Sequence, residues 1–232
     1  DAKAWVQSCL LCQRRKKSRP WKQGLTQSLT SDAKRPFEVC SFDIVGPLPE
    51  SAHGHRYVLT CIDHFSRFPL AIPIENRKLK TIVDALFRGL VSVFGPPRVL
   101  LSDREASFVS LVTDRLFRSL GTKKIATTGY QPQANGLIER FHRYFNAALT
   151  ILARDNKDAW DEHVDAVLFA YRTAVCESTG FSPFELVFGR QATMPADLVY
   201  ELDPLVISEE AKRDVHVSAS LQRAYRIAAR QQ

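Results

Sequence analysis

"FEVCSFDIVGPLPESAHGHRYVLTCIDHFSRFPLAIPI" (37–74) contains three short runs rich in β-branched and aromatic residues: "FEVCSFDIVG" (37–46), "RYVLTCIDH" (56–64) and "RFPLAIPI" (67–74). Gly, Pro, Ser and His fill turns of hairpin length between them, which predicts three consecutive antiparallel strands. The period then changes. "LKTIVDALFRGLVSVFG" (79–95) has helical spacing and stops at Gly95-Pro96-Pro97. "RVLLSD" (98–103) is nearly all apolar until its polar end, as a buried parallel strand should be. "SFVSLVTDRLFRSLG" (107–121) predicts a helix closed by Gly121, and "KKIATT" (123–128) a fifth strand. A loop through Pro132 and Asn135-Gly136 leads into an amphipathic helix ending near 152, with Leu137, Ile138, Phe141, Tyr144, Phe145, Ala148, Leu149 and Leu152 on its apolar face, and a second long helix is expected over 159–175. Strands first, then alternation, then paired helices imply an α/β fold with a mixed sheet covered by helices.

The bulk numbers bound the class of protein. A hydrophobic share of 45% in 232 residues supports a real core rather than disorder. The excess of 32 Lys and Arg over 25 Asp and Glu gives a net charge of +7, which suits a polyanionic partner such as nucleic acid. Five scattered cysteines do not make a disulfide framework, and no apolar run approaches the roughly 18 residues of a membrane span. A protein of a reducing compartment, acting away from membranes, is the expectation. The abrupt start "DAKAWVQSC" without Met suggests a piece of a longer polypeptide, and "QRRKKSRPWKQG" (13–24) reads as a basic linker.

Three acids stand out. Asp43 interrupts an apolar strand, Asp103 ends another, and Glu139 sits on the polar face of the 130–152 helix with His142, Arg143 and Asn146. Taken singly, Asp43 can form a turn before Gly46-Pro47, Asp103 can cap a helix, and Glu139 can pair with Arg143 one turn on. Taken together, adjacent strands can bring the two aspartates to one end of the sheet, where a helix delivers the third carboxylate. Three oxygen donors of this kind suit a hard cation such as Mg²⁺. Cys40 and Cys61 alternate with apolar strand residues and are expected in the core. His53 and His55 fall in the hairpin turn and His64 follows Asp63 at a strand end, with no fourth ligand to make a zinc site.

Four stretches in order resemble the catalytic core of retroviral-type integrases, most closely those of gypsy-like LTR retrotransposons. They are "FDIVGPLP" (42–49), "LLSDREASF" (100–108), "YQPQANGLIERFHR" (130–143) and "TGFSPFELVFGRQATMP" (179–195). The 35 residues between Asp103 and Glu139 match the family's D,D-35-E spacing. Glu105 departs from it, standing where the family has Gly. "CLLCQRRK" (9–16) resembles the end of a His-His-Cys-Cys zinc module, in which Cys9 and Cys12 supply half of a tetrahedral site. Zn²⁺ is therefore expected only with two histidines upstream.

The resemblance implies an RNase H-like fold with a five-stranded mixed sheet flanked by helices and a truncated zinc-module remnant. It divides the chain into 1–36 (module end and basic linker), 37–176 (catalytic core) and 177–232 (a post-core segment with a partial helix). It implies metal-dependent phosphoryl transfer with Asp43, Asp103 and Glu139 holding two Mg²⁺ or Mn²⁺ ions roughly 3.5–4 Å apart. The reactions would be trimming of an element's 3′ DNA ends and their joining to target DNA by a homo-multimer, in the cytoplasm and nucleus. Arg143, Asn146, Arg14, Arg15, Lys16 and Lys17 are the candidate phosphate contacts. The alternative function is that of a domesticated or decayed integrase-like protein that binds DNA without catalysis.

Overall fold

Strand β1 (Val39–Val45) runs antiparallel to β2 (Tyr57–Asp63), which pairs antiparallel with β3 (Pro69–Ile74). In this computed structural model, which describes residues 33–102, 117–126, 132–195 and 197, β4 (Val99–Ser102) and β5 (Lys123–Ala126) complete the sheet. Both new pairings are parallel, giving the order β3-β2-β1-β4-β5 with β1 at the centre. The register sets Asp43 opposite Thr60 on one side, and Phe42 opposite Ser102 on the other.

Period-2 alternation decides what each face meets. Cys40, Phe42, Leu59, Cys61 and Leu100 are buried against helix α1 (Leu79–Leu86) through Ile82 and Leu86. Helix α1 continues through a π-helical segment (Phe87–Val91) into a short turn (Ser92–Phe94) that ends at Gly95. Gly89 lies in the π-helical segment, and a Cβ there would collide with the Ile72 side chain of β3. Val58 and Ile62 face the other way, onto helix α2 (Pro132–Leu152). Phe141 and Phe145 on α2 are wholly buried, and each such side chain contributes about 2–3 kcal/mol by leaving water. They are the anchors that hold the Glu139 helix to the sheet.

Three local readings of the sequence change. Helix α2 begins at Pro132, so Asn135-Gly136 lies within it rather than before it. Of the side chains expected on its apolar face, Tyr144 and Leu152 are exposed. The expected helix over 159–175 is two pieces, a 3₁₀ segment (Lys157–His163) and helix α3 (Val164–Thr173), with Ala159 at non-helical φ/ψ. The N-cap Asn156, whose side chain accepts from the Asp158 N–H, starts the first piece. The expected helix 107–121 is described only from 117, where Phe117 is buried; the one at 208–232 lies outside the described residues.

The stretch "TGFSPFELVFGR" folds as a compact capped unit. Ser182 and Glu185 form a capping box, Pro183 occupies the first turn, and Gly189 closes helix α4 (Pro183–Phe188) in the left-handed conformation. Leu186, fully buried, joins Val39, Phe65 and Val99 in a third apolar cluster. The motif thus attaches this helix to the sheet that carries Asp43.

Beneath that attachment His64 is buried, its Nε2 2.6 Å from Ser41 Oγ. Desolvation, with a smaller push from the Arg67 charge, lowers its imidazole from 6.5 to about 4. The folded protein therefore resists protonation that the unfolded chain accepts. This contribution is complete above about pH 6.5 and is lost as pH falls toward 4, by on the order of 3 kcal/mol. Asp63, pushed up to about 6 chiefly by desolvation, acts with the opposite sign over an overlapping range, so a variant comparison is needed to isolate the histidine. We expect the stability deficit of His64→Gln relative to wild type, measured by urea unfolding, to shrink between pH 6.5 and 4. A deficit that stays constant with pH would contradict this.

Candidate active site

Asp43 lies in the centre of the sheet because β1 has a partner on both edges. Its Oδ1 accepts from the Ile44 N–H at 2.8 Å, and its side chain is about one-third exposed. Glu139 comes from the second turn of α2, exposed, flanked by the buried Leu137, Ile138 and Phe141 that fix the helix face. The two carboxylates meet at one cleft of about 50 Å³, lined by Ser41, Phe42, Asp43, Leu101, Ser102, Ile138 and Glu139. Asp103 follows Ser102 directly in the chain and lies outside the described residues.

The donor set and space fit a small hard cation. Two carboxylates supply oxygen ligands, and among the described residues no sulfur or imidazole lines the cleft. Its volume exceeds the roughly 30 Å³ that one water occupies in the liquid, so an ion retaining part of its hydration is accommodated. One wall is apolar, through Leu101 and Ile138, which raises the cost of leaving two carboxylates without a counter-charge.

Two neighbours of Asp43 were not legible as site residues in the sequence. Thr60, wholly buried, donates from Oγ1 to the Asp43 carbonyl at 3.0 Å. The same hydroxyl lies 2.7 Å from His142 Nε2, so with its own proton committed it must accept from Nε2–H. Desolvation lowers His142 from 6.5 to about 4, leaving it neutral near pH 7. Its Nδ1 is 3.8 Å from Asp43 Oδ2, and a neutral ring makes that a contact rather than an ion pair. The helical wheel sets His142 on the polar face; the structure turns its side chain inward, 16% exposed, against the strand. The one sequence signal was a hydroxyl in the apolar run "YVLTCID", which needs a partner when buried.

The remaining candidates fall in different places. Arg143 is exposed on α2. Asn146, one turn further from Glu139, lines a larger cleft of about 550 Å³ with Gly46, Pro47, Leu48, Leu149 and Trp160. The wall of that cleft depends on Gly46, whose φ is +127° and where a Cβ would come within 2.9 Å of the Arg56 carbonyl. Cys9, Cys12, Arg14, Arg15, Lys16 and Lys17 lie outside the described residues.

Comparisons with known proteins bear on the fold and on its relatives. Residues 33–132 match the family described as integrase core domain. The chain is 28% identical over 180 residues to the retrovirus-related Pol polyprotein from transposon 412 of Drosophila melanogaster, covering 77% of this chain and 15% of that protein. It is 26% identical over 208 residues to the human gypsy retrotransposon integrase-like protein 1, covering 88% and 38% respectively. The chain thus spans well under half of these relatives. Among solved structures, the HTLV-2 integrase catalytic core domain in complex with magnesium aligns with a TM-score of 0.53 at 16% identity, over 65% of this chain and 96% of that one. A chain of the simian T-cell lymphotropic virus intasome aligns with a TM-score of 0.61 at 17% identity, over 79% and 64%. These likenesses make the fold RNase H-like.

Thr60→Val keeps the shape of the side chain and removes the hydroxyl on which Asp43 and His142 converge. We expect a loss of about 1–3 kcal/mol in urea unfolding, because the buried Nε2–H loses its acceptor. Unchanged stability would show that this hydroxyl does not hold α2 to β1.

Proposed function

We propose that this chain, whose residues 33–132 match the integrase core domain family and which is similar to a gypsy retrotransposon integrase-like protein, processes and joins DNA ends by metal-dependent phosphoryl transfer. The observation that carries the reading is the single cleft shared by Asp43 and Glu139. Covalent continuity supports Asp103 as the third ligand, since one peptide bond joins it to Ser102 in that cleft wall and spans only about 3.8 Å between Cα atoms.

In this reading Asp43, Asp103 and Glu139 hold two divalent ions, which when bound neutralise phosphate charge and make a water or 3′-hydroxyl nucleophilic at neutral pH. The chain's own groups do the rest. Asp43 is fixed by β1 and by the Ile44 amide, and Glu139 by the burial of Phe141 and Phe145 two and six residues on. Preset carboxylates need little reorganisation at the moment of reaction, which is where such sites gain rate. Arg143 and the basic stretch containing Arg14, Arg15, Lys16 and Lys17 would contact phosphates without reading sequence. Asn146 would reach a backbone lying along the Gly46–Pro49 cleft.

The substrate pair follows from the chemistry. Attack by water trims a 3′ end and leaves a hydroxyl; attack by that hydroxyl on a second duplex joins the two DNAs, with the target's own 3′-oxygen as leaving group. Two ends must be presented together, so a multimer of this chain is part of the proposal. It would act on element DNA in the cytoplasm and then in the nucleus.

Glu139→Gln preserves size and hydrogen bonding while removing a charge that an ion requires. With Mg²⁺ or Mn²⁺ and an element-end duplex, we expect joining to fall by more than about a hundredfold, with DNA affinity little changed. Equal joining by variant and wild type would overturn the assignment.

A further inference from the structure

The loop between β1 and β2 carries part of a second cluster, separate from the carboxylates of the cleft. The turn "SAHGH" (51–55) closes through a Ser51 N–H to His55 carbonyl bond of 2.9 Å and a Gly54 N–H to Ser51 carbonyl bond of 2.8 Å. Gly54 has φ +81°, and this tight turn directs both histidines to one point. At that point stands Asp161 of the 3₁₀ segment, more than 100 residues later. His53 Nδ1 lies 3.0 Å and His55 Nδ1 2.7 Å from the same oxygen, Asp161 Oδ2. Ser51 Oγ donates to that oxygen too, at 2.8 Å. Its twin, Oδ1, is buried with no hydrogen-bond partner among the described residues.

As a hydrogen-bonding arrangement this is poor. A carboxylate oxygen has two lone pairs, yet three groups crowd Oδ2 while Oδ1 has none, in a side chain only 4% exposed. As a coordination arrangement it is ordinary. Two imidazole nitrogens and a carboxylate oxygen, all within 4.8 Å of one another, form a three-ligand set with a fourth position toward solvent beside the half-exposed His53. In a tetrahedral site with bonds near 2.0–2.1 Å, neighbouring ligand atoms stand about 3.3 Å apart. The two imidazole–carboxylate spacings here, 3.0 and 2.7 Å, are shorter by about 0.3 and 0.6 Å, a gap closed by rotations of the three side chains.

We propose that His53, His55 and Asp161 bind a divalent transition-metal ion, Zn²⁺ best matching a set of two imidazoles and a carboxylate. The site is distinct from the Asp43/Glu139 cleft in ligand type: nitrogen-rich and borderline where that one is all oxygen. Its role is to clasp the β1–β2 loop to the 3₁₀ segment. Two bonds already follow that line, from the Ala52 N–H to the Asp158 carbonyl at 2.9 Å and from Trp160 Nε1 to the Pro49 carbonyl at 2.8 Å. The loop so fastened forms one wall of the larger cleft beside the candidate active site.

The test is calorimetric titration of the whole chain with Zn²⁺, wild type against His53→Ala, together with thermal unfolding with and without the ion. The side chain of His53 is 57% exposed, so its removal should leave the metal-free unfolding midpoint unchanged. We expect Zn²⁺ affinity to weaken by at least about tenfold and most of the Zn²⁺-induced rise in midpoint to disappear. In ¹⁵N spectra of the histidine rings, Zn²⁺ should shift Nδ1 rather than Nε2 of His55. Full Zn²⁺ affinity and an undiminished midpoint rise in His53→Ala would place the ion elsewhere, at Cys9 and Cys12 or in the carboxylate cleft, and overturn the proposal. An Nε2 shift at His55 would overturn it equally.

Discussion

β1 is paired on both edges and covered on both faces, and that double constraint is what makes an acid at Asp43 usable. An aspartate inside a central strand cannot drift, because a slip of one residue would exchange the Cys40/Phe42 face with the Ser41/Asp43 face and press a serine and an aspartate into the apolar cluster under α1. The register is therefore enforced by burial. Helix α2 is held to that sheet by Phe141 and Phe145, and the Thr60 hydroxyl joins the Asp43 carbonyl to His142 of the helix. Packing sets the approach of the helix, and one shared hydroxyl ties it to the strand beside Asp43.

The same logic explains the distribution of polar groups around the core. Ser41, Thr60, Asp63, His64 and Ser66 are all buried, and several are satisfied by one another: Ser41 with His64, Ser66 with Asp63, Thr60 with the Asp43 carbonyl. Buried networks of this kind stabilise one arrangement and penalise others. They surround the middle of the sheet, where the carboxylate of Asp43 needs a fixed frame. The capped helix α4 adds Leu186 to the cluster beneath β1 and β4, so a segment distant in sequence helps hold the strands that frame the cleft.

Much of this was legible in the sequence because it is local. Strand alternation from 37 to 74, the apolar run at 98–103 and the helical period after 137 each follow from neighbours a few residues away. Asp43 and Glu139 stood out as charges placed against an apolar strand and an amphipathic helix. What escaped was long-range. His142 looks solvent-facing on a wheel, and only contact with Thr60, 82 residues earlier, turns it inward. Asp161 looks like one acid among several in "AWDEHVD", and nothing near it in sequence reveals His53 and His55. The break at Ala159 was hidden because helical periodicity survives a 3₁₀ turn over so short a span. Asn135-Gly136 reads as a turn, yet α2 runs through it from Pro132.

In the proposed function, Asp43 and Glu139, delivered by strand and helix, hold a divalent cation in their shared cleft. Crystals of the chain soaked in Mn²⁺ and measured at the manganese edge test it most directly. An anomalous peak about 2.2 Å from carboxylate oxygens of both Asp43 and Glu139, absent from Glu139→Gln, is the predicted result. Saturating Mn²⁺ with no peak between those two side chains would contradict it.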